Sequence, residues 1–145
     1  LTEAVEVARY IREHSNPDDR VGVIGSEPEI YFYAARPAAT TYIYMYPLME
    51  PHPFAQQMQQ AMVAQLDRQK PRFLVLVNVE TSWSRRPDSD STIFDWTERT
   101  VNEHYQPVGL AEIWRDRPTV YHWGDAAAGA TPQSHYYVVL FQRRD

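Results

Sequence analysis

The seven residues Phe73-Leu74-Val75-Leu76-Val77-Asn78-Val79 constrain this chain more than any other stretch. A continuous run of this composition is the mark of a β-strand covered on both faces, so the rest of the chain must supply packing on two sides. Helical spacing provides it. Thr2 heads a stretch whose apolar positions Ala4, Val7, Ala8 and Ile11 fall on one stripe, ended by Asn16-Pro17. Phe54, Met58, Ala61, Met62 and Leu66 make a second stripe, with Phe54, Met58 and Met62 expected in the core and Lys70-Pro71 as the stop. Thr92 with Asp95 suits a cap for a third helix that turns Ile93, Trp96, Thr97, Thr100 and Val101 inward.

Val21 to Arg36, VGVIGSEPEIYFYAAR, passes from strand to helix without a linker. Val21, Val23 and Ile24 favour a strand that ends at Gly25. Ser26 suits the N-cap of the helix that follows, with Pro28 in its first turn and Glu29 reaching back in a capping box. In open α/β sheets ligands settle beyond the carboxyl end of such a strand, which makes this the first place to look for a site. Thr41 to Tyr46 alternates strictly and predicts a further strand, with Tyr42, Tyr44 and Tyr46 on one face. Val108 to Trp114 and Thr119 to Trp123 flank a turn too short for a crossover, hence an antiparallel hairpin. Tyr136 to Phe141 is the last strand. The order predicts an α/β fold, a three-layer, mostly parallel Rossmann-like sheet with an antiparallel edge.

At 145 residues the chain fits one domain, residues 1–145. No apolar run approaches the roughly 18 residues that cross a bilayer. A net charge of -5, with no basic run longer than Arg85-Arg86 or Arg143-Arg144, argues against nucleic acid and against an anionic membrane surface as partner. The absence of cysteine excludes disulfides and thiolate metal sites. Helical pattern begins within a few residues of Leu1, with neither an initiator Met nor a signal peptide, which suggests a fragment of a larger protein.

The segments GSEPEIYFYAAR, TTYIYMYPLMEP, MQQAMVAQL and KPRFLVLVNVETSW together resemble the soluble C-terminal domain of certain bacterial multi-span membrane glycosyltransferases. These are related to protein O-mannosyltransferases and to the lipid A aminoarabinose transferase, and use polyprenyl-phosphate sugar donors. The similarity runs from about Val7 to Trp83. It implies an extracytoplasmic accessory domain that contacts substrate or regulates, with its own membrane domain as partner and a glycan or lipid-linked sugar as possible ligand. The family's catalytic acid lies in its membrane domain, so the resemblance assigns no catalytic residue here and no cofactor.

Other chemistry in the sequence is sparse. Gly22-Val23-Ile24-Gly25-Ser26 lacks the full G-x-G-x-x-G, and Glu27 and Glu29 would repel a phosphate at that helix end. A free-standing nucleotide-binding module or enzyme is thus an alternative, and a protein-interaction domain another. Asp88-Ser89-Asp90 has the spacing of a divalent-cation motif, but in a charged loop beside Arg85 and Arg86 it is expected to be solvated. The five histidines show no metal-ligand spacing. With neighbouring parallel strands, Ser26, Glu27 and Tyr46 should share one rim, and the loop from Glu80 to Ser91 should bring Trp83 and Arg85 over it. These five residues are the expected ligand-binding set, suited to a sugar held on aromatic rings.

Overall fold

The computed structural model describes residues 1–145. Along the chain come α1 (Glu3–Glu13), β1 (Val21–Ile24), α2 (Glu29–Ala34), α3 (Tyr46–Met49), α4 (Ala55–Gln69), β2 (Phe73–Asn78), α5 (Glu80–Trp83) and α6 (Thr92–His104). They are followed by β3 (Tyr105–Ile113), β4 (Val120–Trp123), α7 (Asp125–Ala128) and β5 (Tyr136–Arg143). No helix is long and apolar enough to cross a membrane.

All strands join one five-stranded sheet in the order β1-β2-β5-β3-β4. Only β1 and β2 are parallel; β2–β5, β5–β3 and β3–β4 are antiparallel. This corrects the expectation of a mostly parallel Rossmann-like sheet. The final strand does not extend a parallel array. It inserts between β2 and β3, while the β3–β4 hairpin forms the far edge. The alternation within a strand shows how its faces are covered and leaves open which neighbour it takes.

One sheet face carries Val21, Val23, Phe73, Val75, Val138 and Leu140, packed against Ala4, Val7, Ile11 of α1 and Ile30, Ala34 of α2. The other carries Ile24, Leu74 and Tyr105 under Leu48, Met62, Leu66, Ile93 and Trp96. β2 therefore has apolar cover on both faces, as its composition requires.

The segment Thr41 to Tyr46 is not a strand. Val21 already uses its N–H and carbonyl with Pro37 and Ala39, leaving a single parallel bridge to Ala38 on the outer edge of β1. The next N–H on that outer edge, that of Val23, is donated to the Tyr31 hydroxyl oxygen at 2.8 Å. With that edge satisfied there is no ladder for Thr41–Tyr46 to join. Met45 is buried, while Tyr44 and Tyr46 stay exposed with their rings 6.4 Å apart.

The stripe on α4 also differs from expectation. Its buried positions are Ala55, Gln59, Met62 and Leu66, whereas Phe54 is 62% exposed and Met58 only flanks the core. The burial of Gln59 rests on its hydrogen bonds. Its Nε2 donates to the carbonyls of Leu48 and Asp90 at 2.9 and 3.0 Å, and its Oε1 accepts from the Ile93 N–H at 2.8 Å. One amide thereby ties the end of α3, the loop before α6 and the first turn of α6 to α4.

Gln59→Leu should lower unfolding free energy by at least about 2 kcal/mol in urea titration, because it strands these buried backbone groups while adding apolar surface. Burial pushes the Tyr31 phenol up to about 12 from 10.0, against the Val23 N–H that favours its ionised form. A raised folded-state pKa gives stability that is complete below pH 10 and is lost as pH climbs toward 12, roughly 3 kcal/mol in all. Tyr31→Phe should be less stable than the parent at neutral pH, with Val23 left unbonded, yet lose less across that alkaline window.

Candidate functional site

Because β1 and β2 are parallel, their carboxyl ends lie together and the chain leaves both at the same rim. Gly25 makes the junction possible. A Cβ there would meet the Ser82 Oγ and the Val77 Cβ, both at 2.8 Å, so the glycine serves close packing between the two exits and not a phosphate. The Ser26 N–H donates to the Ser82 Oγ at 2.8 Å, and the Ser26 Oγ accepts from the Met45 N–H at 2.7 Å. Ser26 is thus buried and fully bonded. The expected side-chain cap on α2 is not formed; Pro28 occupies the N-cap position.

The glutamate that follows is half-buried. Burial pushes the Glu27 carboxyl above the ordinary range; the Ser82 hydroxyl bonded to it opposes this, and the nearby Glu29 adds to the rise. Tyr46 stands at the same rim, at the start of α3, and its hydroxyl donates to the Thr81 carbonyl at 2.9 Å. Ser26, Glu27 and Tyr46 therefore meet the exit of β2 as expected, although through the α5 turn and not through a neighbouring strand.

Beside this rim lies a cavity of about 270 Å³, lined by Leu76 to Glu80, Trp83, Arg85, Phe94 and His135. Its wall is aromatic. Trp83 on α5 is 5% exposed, donates its indole N–H to the Val77 carbonyl at 2.8 Å, and sets its ring 4.6 Å from that of Phe94 on α6. Ser84 adopts a left-handed conformation, φ 51°, ending α5 and turning the chain back. Arg85 then lies with its guanidinium carbon 4.0 Å above the Phe94 ring. Cation–π attraction holds that cation in place with its donors unspent.

The opposite side of the cavity is polar. The Asn78 Nδ2 donates to the His135 carbonyl at 3.2 Å, and the Tyr136 hydroxyl donates to the Glu80 Oε2 at 3.1 Å. An aromatic wall facing an amide, an imidazole, a carboxylate and a guanidinium suits a small ligand with one apolar face and hydroxyls around its edge.

Of the five residues expected from sequence, Trp83 and Arg85 line the cavity, and Ser26, Glu27 and Tyr46 do not. Phe94 and His135 were missed. Phe94 lies one position off the inward stripe of α6, a signal visible in the sequence, whereas His135 arrives only with the insertion of β5. Asp90 of the D-x-D accepts the Thr92 N–H at 2.9 Å, and nowhere does the fold gather three His, Asp or Glu side chains that could hold a metal.

The fold and this cavity define a mixed α/β domain with one aromatic-walled cleft at the end of its parallel pair. Comparison with family models, curated proteins and solved structures finds no match.

The raised Glu27 pKa gives stability when that carboxyl is protonated, which is lost as pH rises through the folded-state value. At pH 7 the ionised group is therefore a cost. Glu27→Gln should raise the melting temperature at pH 7 and leave it unchanged well below the ordinary carboxylate pKa. A lower melting temperature at pH 7 would show that the Ser82 bond to the carboxylate outweighs its burial.

Proposed function

We propose that this chain is the accessory, substrate-contacting domain of a membrane-bound glycosyltransferase that uses a polyprenyl-phosphate sugar donor. It stands on the extracytoplasmic side beside its own membrane domain, and it holds a saccharide in the cleft between Trp83, Phe94 and Arg85. The resemblance of the segments between Val7 and Trp83 supports the class. The observation that carries the ligand is the cleft itself, with Phe94 and Trp83 as an apolar wall and Asn78, Glu80, Arg85 and His135 at its edge. Aromatic faces stack on the C–H faces of sugars while amides, carboxylates and guanidinium groups bond the hydroxyls. The volume of about 270 Å³ suits one or two sugar rings and little more.

The nucleotide-binding alternative loses its structural basis. The β1 exit carries Glu27 and Glu29, and its Ser26 N–H is already spent on Ser82. A pyrophosphate would meet carboxylates where it needs free amides.

Titrating ¹⁵N-labelled protein with neutral mono- and oligosaccharides should shift the amides of Asn78 to Arg85, Phe94 and His135. The dissociation constant should be in the millimolar range, roughly 4 kcal/mol of binding free energy. Arg85→Ala and Phe94→Ala should each weaken it while the fold persists, since neither side chain is fully buried. Shifts scattered over the surface, or confined to the opposite end of the sheet, would remove the cleft from the reading. The glycosyltransferase class predicts several membrane-spanning helices encoded upstream of Leu1 in the same reading frame, and fails if they are missing.

A further inference from the structure

At the end of the sheet away from this cleft, three arginines stand in one row. Arg20 and Arg72, the residues just before β1 and β2, come beside Arg143 of β5. The Arg72 N–H donates to the Arg20 carbonyl and the Arg143 N–H to the Arg72 carbonyl, each at 2.9 Å, which ties the three backbones together. Lys70, the residue that ends α4, joins them around a cavity of about 380 Å³ with no apolar residue in its lining.

Like charges brought close together repel, and this end of the sheet gathers three arginines and a lysine around one cavity in a chain of net charge -5. The carboxylates within the cavity answer only part of that charge. Asp18, Asp19 and Asp145 line it with the four cations. Asp145 pairs with the Arg143 Nε at 3.0 Å, and the Asp19 carboxylate accepts the Asn16 N–H at 2.8 Å. Arg20 donates to the Ala38 carbonyl. Arg20, Lys70 and Arg72 form no ion pair, and the Arg72 guanidinium makes no hydrogen bond within the protein. Tyr105, next in the row, anchors Arg143: the guanidinium carbon lies 5.4 Å from its ring and Nη1 lies 3.4 Å from its hydroxyl.

We propose that this row is a binding site for a phosphate-class oxyanion, either a free phosphate or phosphate ester or the phosphate of a lipid headgroup. Guanidinium groups pair with tetrahedral oxyanions through parallel N–H donors, and an anion in this cavity lowers the repulsion among its four cations. The site is independent of the saccharide cleft. It lies at the other end of β2 and uses none of its residues.

The test titrates ¹⁵N-labelled protein with sodium phosphate and, at matched ionic strength, with sodium chloride. Phosphate should give saturable shifts at the amides of Arg20, Arg72 and Arg143 and raise the melting temperature more than chloride does. Arg72→Ala and the more exposed Arg20→Ala should each weaken phosphate about ten-fold or more, with melting temperatures in chloride equal to or above that of the parent. Equal responses to the two salts overturn the proposal, as do variants that bind phosphate as well as the parent. If Arg72→Ala fails to fold, Arg20→Ala carries the same decision. Cosedimentation with phosphatidylglycerol vesicles but not phosphatidylcholine vesicles, lost in the variants, assigns the site to a lipid headgroup. Phosphate binding without vesicle binding assigns it to a soluble phosphate.

Discussion

β5 pairs with β2 on one side and β3 on the other, and most of what distinguishes this structure follows from that insertion. Without it the chain would be two incomplete pieces: a parallel pair with helices on either side, and a twisted hairpin. Neither could satisfy its inner sheet edge alone, and an unpaired edge strand is open to aggregation. Val138 and Leu140 of β5 complete the core under α1 and α2, while Phe141 packs on the side of α4 and α6. The last of the five strands in chain order is therefore the one that joins the sheet into a single body. Its register is held by apolar faces on both sides, so a slip by one residue would expose both sets at once.

The two ends of β5 also place the chemistry. Its amino end brings His135 and Tyr136 to the cleft at the exit of β2, where Asn78 and Glu80 hold them by hydrogen bonds. Its carboxyl end brings Arg143 beside Arg72 and Arg20. Because β5 runs antiparallel to β2, one strand serves opposite ends of the parallel pair. The neutral, aromatic-walled cleft and the cationic row are thereby kept a strand length apart.

Between these sites, polar side chains that look available in the sequence are occupied with structural work. Ser26 joins the exits of β1 and β2 to Met45; Gln59 joins three segments to α4; the Tyr31 hydroxyl closes the outer edge of β1. Each meets a backbone group that a crossover leaves unmatched in the interior, where an unpaired donor or acceptor costs about 1–3 kcal/mol. The groups left with free donors, Arg85 over Phe94 and Arg72 in its row, are held by ring stacking or by the sheet. That is the physical difference between the residues proposed to bind and their neighbours.

The sequence by itself determined the elements whose pattern is local. The apolar run of β2, the stripe on α1, the stop at Lys70-Pro71 and the short turn of the β3–β4 hairpin are statements about periodicity over a few residues, and packing has little freedom to alter them. It placed Trp83 and Arg85 beyond the end of β2, whereas its placing of Tyr46 beside Ser26 and Glu27 relied on a strand at Thr41–Tyr46 that does not form. Tertiary structure alone decided strand order, the loss of the strand expected at Thr41–Tyr46, and the exposure of Phe54. It decided too that Phe94 and His135 line the cleft and that three arginines distant in sequence line one cavity. Which edge a strand takes depends on which edges remain open when it arrives, and that competition leaves no trace in the spacing of its own residues.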